Sequence, residues 1–125
     1  MIAVNRTRGR RLASSVRIAS SHWSRLRGLI GTSASEFQTG QALWIVPCHG
    51  VHTFAMQFPL DLIYLDGDGC VVGIFKNVRP WRVAPVRMRA ASVLELPPGA
   101  IAHSATQAGD TIEMITMQCT PGDAS

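Results

Sequence analysis

Between Pro47 and Asp61 the sequence PCHGVHTFAMQFPLD sets a thiol, two imidazoles, a thioether and a carboxyl among apolar residues. The first chemistry such groups suggest is metal ligation, because Cys48, His49, His52 and Met56 are soft or borderline ligands suited to zinc or copper. Extended residues rise about 3.3 Å each, so Cys48 and His52 on one strand stand roughly 13 Å apart. Donor atoms sharing a metal must lie within about 4 Å of each other. Only a turn at His49-Gly50 closes that gap, and no second ligand pair follows, so Cys48, His49 and His52 are weak metal candidates. The second chemistry is nucleophilic, with Cys48 activated by His49 or His52 and oriented by Asp61. A turn around Gln57-Phe58-Pro59 would pair His52 near Tyr64 and send Asp61 to the opposite face, which breaks the relay unless a bulge intervenes. Calcium is suggested by Asp66-Gly67-Asp68-Gly69, but Cys70 and Asn77 occupy the fifth and twelfth positions, where an EF-hand loop needs ligands. That stretch is a hairpin turn instead.

The remaining chemistry is binding. His52 alternates in phase with Phe54 and Met56, which sets an imidazole on an apolar row. Asp61 beside Ile63 cannot be buried ionised without a partner, and Arg79 and Arg82, flanking Pro80-Trp81, are the candidate cations. The expectation is a non-enzymatic binding module whose pocket forms where His52, Met56, Asp61, Trp81 and Arg82 converge. Its partner would be an unidentified small molecule or protein, and no cofactor is identified by any motif.

The elements that must position these groups are mostly strands. Ser20 or Ser21 could cap a short N-terminal helix through Trp23, Leu26, Leu29 and Ile30, ended by Gly31. Beyond it, Ala42 to Val46, Val51 to Met56, Leu60 to Leu65, Cys70 to Phe75, Ser92 to Leu96 and Thr111 to Met117 read as short strands between turn residues. Leu60 to Leu65 is apolar on both faces, so its hairpin should be central. In that hairpin Asp61, Ile63 and Leu65 should share a face with Cys70, Val72 and Ile74, and Leu60, Leu62 and Tyr64 with Val71, Gly73 and Phe75. Arg79 to Arg89 reads as a long basic loop. Six or seven short strands with one helix indicate a mostly β chain, a small single-domain β-sandwich or barrel.

Several of these stretches, in order, carry a resemblance. RLRGLIG (25–31), ALWIVPCHGVHTFAMQFPLDLIYLDGDG (42–69), VRPWR (78–82), SVLELPPG (92–99) and GDTI (109–112) resemble the domain of unknown function 192 family. The likeness spans about residues 12 to 117 and leaves 118–125 as a flexible tail. It implies a single mostly-β domain found in bacteria and archaea, in some members behind an export signal, and it implies no activity. The family often carries methionine and then arginine after the first Gly-Leu, where this chain has Ile30-Gly31-Thr32.

Length, composition and charge bound the rest. A chain of 125 residues, 46% hydrophobic and 16% charged, belongs with compact globular proteins and can fold without staples. Three scattered cysteines, Cys48, Cys70 and Cys119, form no disulfide framework, which fits reduced thiols in a cytoplasmic protein. Seven arginines precede Glu36, the first acid, so the first 35 residues carry +7 and the remainder −3. Acid-free, Arg- and Ser-rich composition is also that of a transit peptide, but an arginine-rich surface of the folded domain is the expectation. Nucleic-acid binding through this region is the further alternative, weakened because aromatic residues are only 6% of the chain. The uncharged run from Phe37 to Leu60 is broken by glutamines, prolines, histidines and glycine, so no membrane span is expected.

Overall fold

The computed structural model describes residues 1–21, 29–54 and 56–116. Its strands are β1 (Ile2–Asn5), β2 (Arg10–Ala13), β3 (Ser15–Ala19), β4 (Gln41–Ile45), β5 (Leu60–Leu65), β6 (Val71–Val78), β7 (Ser92–Leu96) and β8 (Ile112–Ile115), with one short helix α1 (Ala100–Ser104) between β7 and β8. A five-stranded sheet runs β3-β4-β7-β5-β6 and a three-stranded sheet runs β2-β1-β8. Both orders are open, with β3 and β6 as edges of the larger sheet; the expected mostly β class holds, and the described residues form no closed barrel.

Every side chain of β5 and β7 is buried. Their alternation divides the core into two apolar layers. Leu43, Ile45, Leu60, Leu62, Tyr64 and Val93 face a layer completed by Leu29, Phe37, Met56, Phe58, Ala84 and Ala90. Ala42, Ile63, Leu65, Leu94 and Leu96 face the other, which is closed by Ala3, Leu12, Ala13 and Ile112 of the small sheet and by Ile101 of α1. The small sheet and α1 therefore cover one face of the large sheet, and loop segments cover the other.

β5 lies between β7 and β6, as its two apolar faces require, but β6 is an edge strand. The expected groupings hold in mid-hairpin, where Ile63 pairs with Ile74 and Tyr64 with Gly73. A bulge between Tyr64 and Leu65 exchanges Val71 and Val72, so that Val71 joins the layer of Leu65 and Val72 the layer of Tyr64. The turn is fastened by Asp66, whose Oδ1 accepts from the amides of Asp68 and Cys70, both at 2.9 Å. Gly69 is required there, because it has φ of +83° and a Cβ on it would stand 2.5 Å from the carbonyl oxygen of Ile112.

Three expectations change. Val51 to Met56 is not a strand: only His52 forms an isolated bridge, to Val83, and the chain turns at Thr53 to Met56. The arginine-rich beginning supplies β1, β2 and β3, with Arg6, Arg8, Arg10, Arg11 and Arg17 exposed and Ala3, Leu12, Ala13, Val16 and Ala19 buried between them. The helix expected from Ser20 to Ile30 falls chiefly on residues 22–28, outside the described residues, as does the tail; α1 was not anticipated.

A polar cluster ties the small sheet to the turn before β8. Buried Asn5 donates from Nδ2 to Thr106 Oγ1 and to Asp110 Oδ2, both at 3.0 Å. The same Asp110 oxygen accepts from Arg8 Nε at 3.0 Å and from the Gln107 amide at 2.9 Å. The Arg8 bond, followed by Asn5 and the Gln107 amide, outweighs burial and holds the Asp110 carboxyl at about 2, below its ordinary 3.8. A depressed folded value means that the stabilisation is present above pH 3.8 and disappears as pH falls towards 2. Urea midpoints measured from pH 5 to 2 should fall less steeply in Asp110→Asn than in the parent chain; parallel slopes would remove Asp110 from this account.

Candidate functional site

Thr53 organises the surface that the sequence pointed to. Its hydroxyl donates to the Arg79 carbonyl at 2.6 Å and accepts from the Arg82 amide at 2.9 Å. Its backbone adds the Thr53 amide to the Arg82 carbonyl at 2.8 Å and the Trp81 amide to the Thr53 carbonyl at 2.9 Å. These bonds replace a sheet ladder, which is why Val51 to Met56 does not continue as a strand. Further along, the Ala84 amide donates to the Val51 carbonyl and the Arg87 amide to the His49 carbonyl, both at 2.9 Å. Gly50 permits this approach, since a Cβ on it would lie 3.3 Å from the Pro85 carbonyl oxygen and from Val86 Cα. Residues 48–54 and 79–91 thus form one irregular two-stranded arm. It is anchored to the sheet by the Tyr64 hydroxyl donating to the Pro85 carbonyl at 2.8 Å and by the Ala91 amide donating to the Leu65 carbonyl at 2.7 Å.

The outer side of the arm is apolar and cationic. The His52 and Phe54 rings lie 5.0 Å apart, and Phe54 stacks on Trp81 at 5.9 Å. Trp81 is 63% exposed and Met88 77%, with Phe54, Val83 and Val86 also open to solvent. Arg79, Arg82, Arg87 and Arg89 of the arm are exposed as well, Arg87 lying over the Phe75 ring at 5.5 Å, and the chain has no acid between Asp68 and Glu95.

Of the five residues expected to converge, His52, Trp81 and Arg82 share this surface, whereas Met56 and Asp61 do not. Met56 is buried in the layer beneath the arm. Asp61 faces the other layer and has no arginine partner among the described residues: Oδ1 accepts from the Asn77 amide at 2.8 Å, and Oδ2 from the amides of Gly99 at 3.1 Å and Ile101 at 2.9 Å. Backbone N–H groups offered by the end of β6 and the turn into α1 do what Arg79 or Arg82 was expected to do. The pocket as a set of five is therefore corrected to a surface of three, joined by Phe54.

The thiol and imidazoles are turned towards backbone. Cys48 Sγ donates to the Gly50 carbonyl at 3.0 Å, His49 donates from Nδ1 to the Ala90 carbonyl at 2.6 Å, and His52 Nδ1 accepts the Phe54 amide at 3.3 Å. Among the described residues no three His, Cys, Asp or Glu side chains gather as a metal site. Two groups behind the arm escaped the sequence reading. Tyr64 is pushed up to about 12, first by burial and then by Cys48 and Glu95. Glu95 stands between Leu43 and Leu62 in the ladder, its Oε1 is buried without a hydrogen-bond partner among the described residues, and burial pushes its carboxyl up to about 8. The signal for Glu95 was present: an acid inside Val93-Leu94-Glu95-Leu96, in a strand with both faces apolar, has no polar side to occupy.

The first 21 residues place Arg6 against Glu113 and Arg8 against Asp110, so two of the cations considered for nucleic acid are paired. None of the described helices is long and apolar enough to cross a membrane.

Similarity to known proteins agrees with the sheet architecture. The chain is 30% identical over 115 residues to a UPF0127 protein of Thermococcus sibiricus, covering 88% of this chain and 72% of that protein. It is 32% identical over 114 residues to a UPF0127 protein of Thermococcus gammatolerans, covering 87% and 72%. A protein of unknown function from Novosphingobium aromaticivorans shares the fold at a TM-score of 0.78 and 22% identity, over 90% of this chain and 83% of that one. A putative transcription regulator of Sinorhizobium meliloti does so at 0.74 and 22%, over 90% and 89%. The profile of a family described as "Uncharacterized ACR" matches residues 3–114, and the chain belongs to that family, the domain of unknown function 192 family.

Proposed function

We propose that the protein is a non-enzymatic binding module that docks a protein segment bearing apolar side chains and carboxylates onto the arm. The observation that carries this reading is the stacked, exposed Phe54–Trp81 pair on an arm that also carries four exposed arginines and whose backbone is held by Thr53. Aromatic and arginine side chains supply most of the energy at protein interfaces, and a surface of one charge sign selects partners of the other. Flanking Val83, Val86 and Met88 add apolar surface that water would otherwise cover.

Selection from a random displayed-peptide library tests this with defined probes. Enriched peptides should combine aromatic or aliphatic residues with Asp or Glu. Synthetic versions should bind Trp81→Ala at least tenfold more weakly than the parent chain, a loss typical of an aromatic anchor. Enrichment of uncharged peptides, or binding indifferent to Trp81→Ala and Phe54→Ala, would overturn the reading. So would tighter association of the arm with anionic phospholipid vesicles than with any selected peptide.

A further inference from the structure

On the far side of the large sheet from the arm, a hollow of about 250 Å³ lies between the start of β2, the Thr39-Gly40 turn and the segment from Pro97 into α1. Its walls are Leu12, Pro97, Pro98 and Ala100, and Arg11, Thr39 and His103 bring the polar side chains. A recess of this volume admits a small organic molecule and lies below the range of about 300–1,000 Å³ usual for larger ligands.

The backbone donors around the hollow are committed, and among the described residues the side-chain donors of Arg11 and His103 are not. The backbone amides nearby are spoken for, those of Gly99 and Ile101 by Asp61 and that of Ala100 by the Pro97 carbonyl. The Gly99 carbonyl accepts the His103 amide, and the Pro97 carbonyl the Ala100 amide. Among the described residues, the side chains of Arg11 and His103 have neither hydrogen-bond nor ion-pair partners, and no acid lines the hollow. Two residues with N–H-bearing planar side chains, one of them a permanent cation, thus line a largely apolar recess.

We infer that this hollow is a binding site for a small carboxylate with a compact apolar body. The carboxylate meets the Arg11 guanidinium as a two-point pair, the His103 imidazole donates a further N–H, and the body lies against Leu12 and the Pro97-Pro98 wall. A guanidinium fork matches the plane of a carboxylate, which gives this class its advantage over a neutral molecule of the same shape. The recess gives it an advantage over a bare inorganic anion.

Benzoate, benzyl alcohol and inorganic phosphate separate these contributions when titrated into isotopically labelled protein and followed through backbone amide resonances. Benzoate should saturably shift Gly40, Gly99, Ala100 and His103. Benzyl alcohol and phosphate should each bind at least tenfold more weakly. Arg11→Gln, on an exposed position of β2, should weaken benzoate tenfold or more, and His103→Gln, on a different element, severalfold. Benzyl alcohol within twofold of benzoate would show an apolar hollow without anion recognition, and phosphate as tight as benzoate a basic patch without a recess. Either result, or benzoate binding unchanged in both variants, overturns the inference.

Discussion

Asp61→Ala should lower the unfolding free energy by about 3–5 kcal/mol, the range for removing one partner of a buried charged hydrogen-bonded group. Three backbone amides converge on this 1% exposed carboxylate, from residues 77, 99 and 101. Hydrogen bonds to charged groups contribute about 1.5–3 kcal/mol each, and amides left buried without an acceptor add their own desolvation cost. Asp61→Asn keeps the shape but replaces one acceptor oxygen with an NH2 group that faces amide donors. It should recover only part of the loss. Urea unfolding with hydrogen exchange at Asn77, Gly99 and Ile101 reads both effects. The same three amides should lose protection first, since they close the end of β6 and the entry to α1. Asp61→Asn within 1 kcal/mol of the parent chain, with those amides still protected, would show that the carboxylate does not hold this junction. Because Asp61 faces away from the arm, folded Asp61→Asn should still bind an acidic apolar peptide, which separates a structural role from membership of the docking surface.

The contrast between Asp61 and Thr53 shows what sequence patterning could and could not carry. β5 and β7 were legible because a run buried on both faces stays apolar at most of its positions, and turn residues bound it. The need of Asp61 for a partner was equally legible. Its identity was not, because the donors lie 16, 38 and 40 residues away and are backbone, which every residue type offers. The alternation of His52, Phe54 and Met56 imitated a strand, and only tertiary pairing of Thr53 with Arg79 and Arg82 turned it into an arm. β1, β2 and β3 were hidden for a different reason. Their buried positions include Ala3, Ala13 and Ala19, small side chains set among exposed arginines, so the period-two signal is faint. α1 has five residues, too short to display a helical period. His52, Trp81 and Arg82 lie together because they sit on the two paired segments of the arm, whereas Met56 and Asp61 are turned into the two core layers, which composition alone does not reveal.

Glu95 yields the other large effect, and its sign follows from burial alone. Its carboxyl is pushed from an ordinary 4.5 up to about 8 by desolvation, with no charged partner among the causes. The folded state therefore holds a proton that the unfolded chain has already released at neutral pH. The relative stability of the folded state is full below pH 4.5, falls as pH rises towards 8, and levels off above it. At 1.36 kcal/mol for each pH unit the loss approaches roughly 5 kcal/mol, and water entering the site reduces it to a few. Glu95→Gln keeps a buried polar group without the titration, so its stability should exceed the parent's by an increasing margin between pH 5 and 8. Glu95→Leu removes the unsatisfied oxygen as well, and should be the most stable of the three by a further 1–3 kcal/mol or so. Tyr64, held near 12, stays protonated throughout this range, and the difference between parent and Glu95→Gln cancels the groups they share. Parallel pH profiles for these two chains would mean that Glu95 ionises in the folded protein as freely as in water. Destabilisation by Glu95→Leu at pH 6 would mean that the carboxyl has a partner in solution whose loss outweighs the apolar gain.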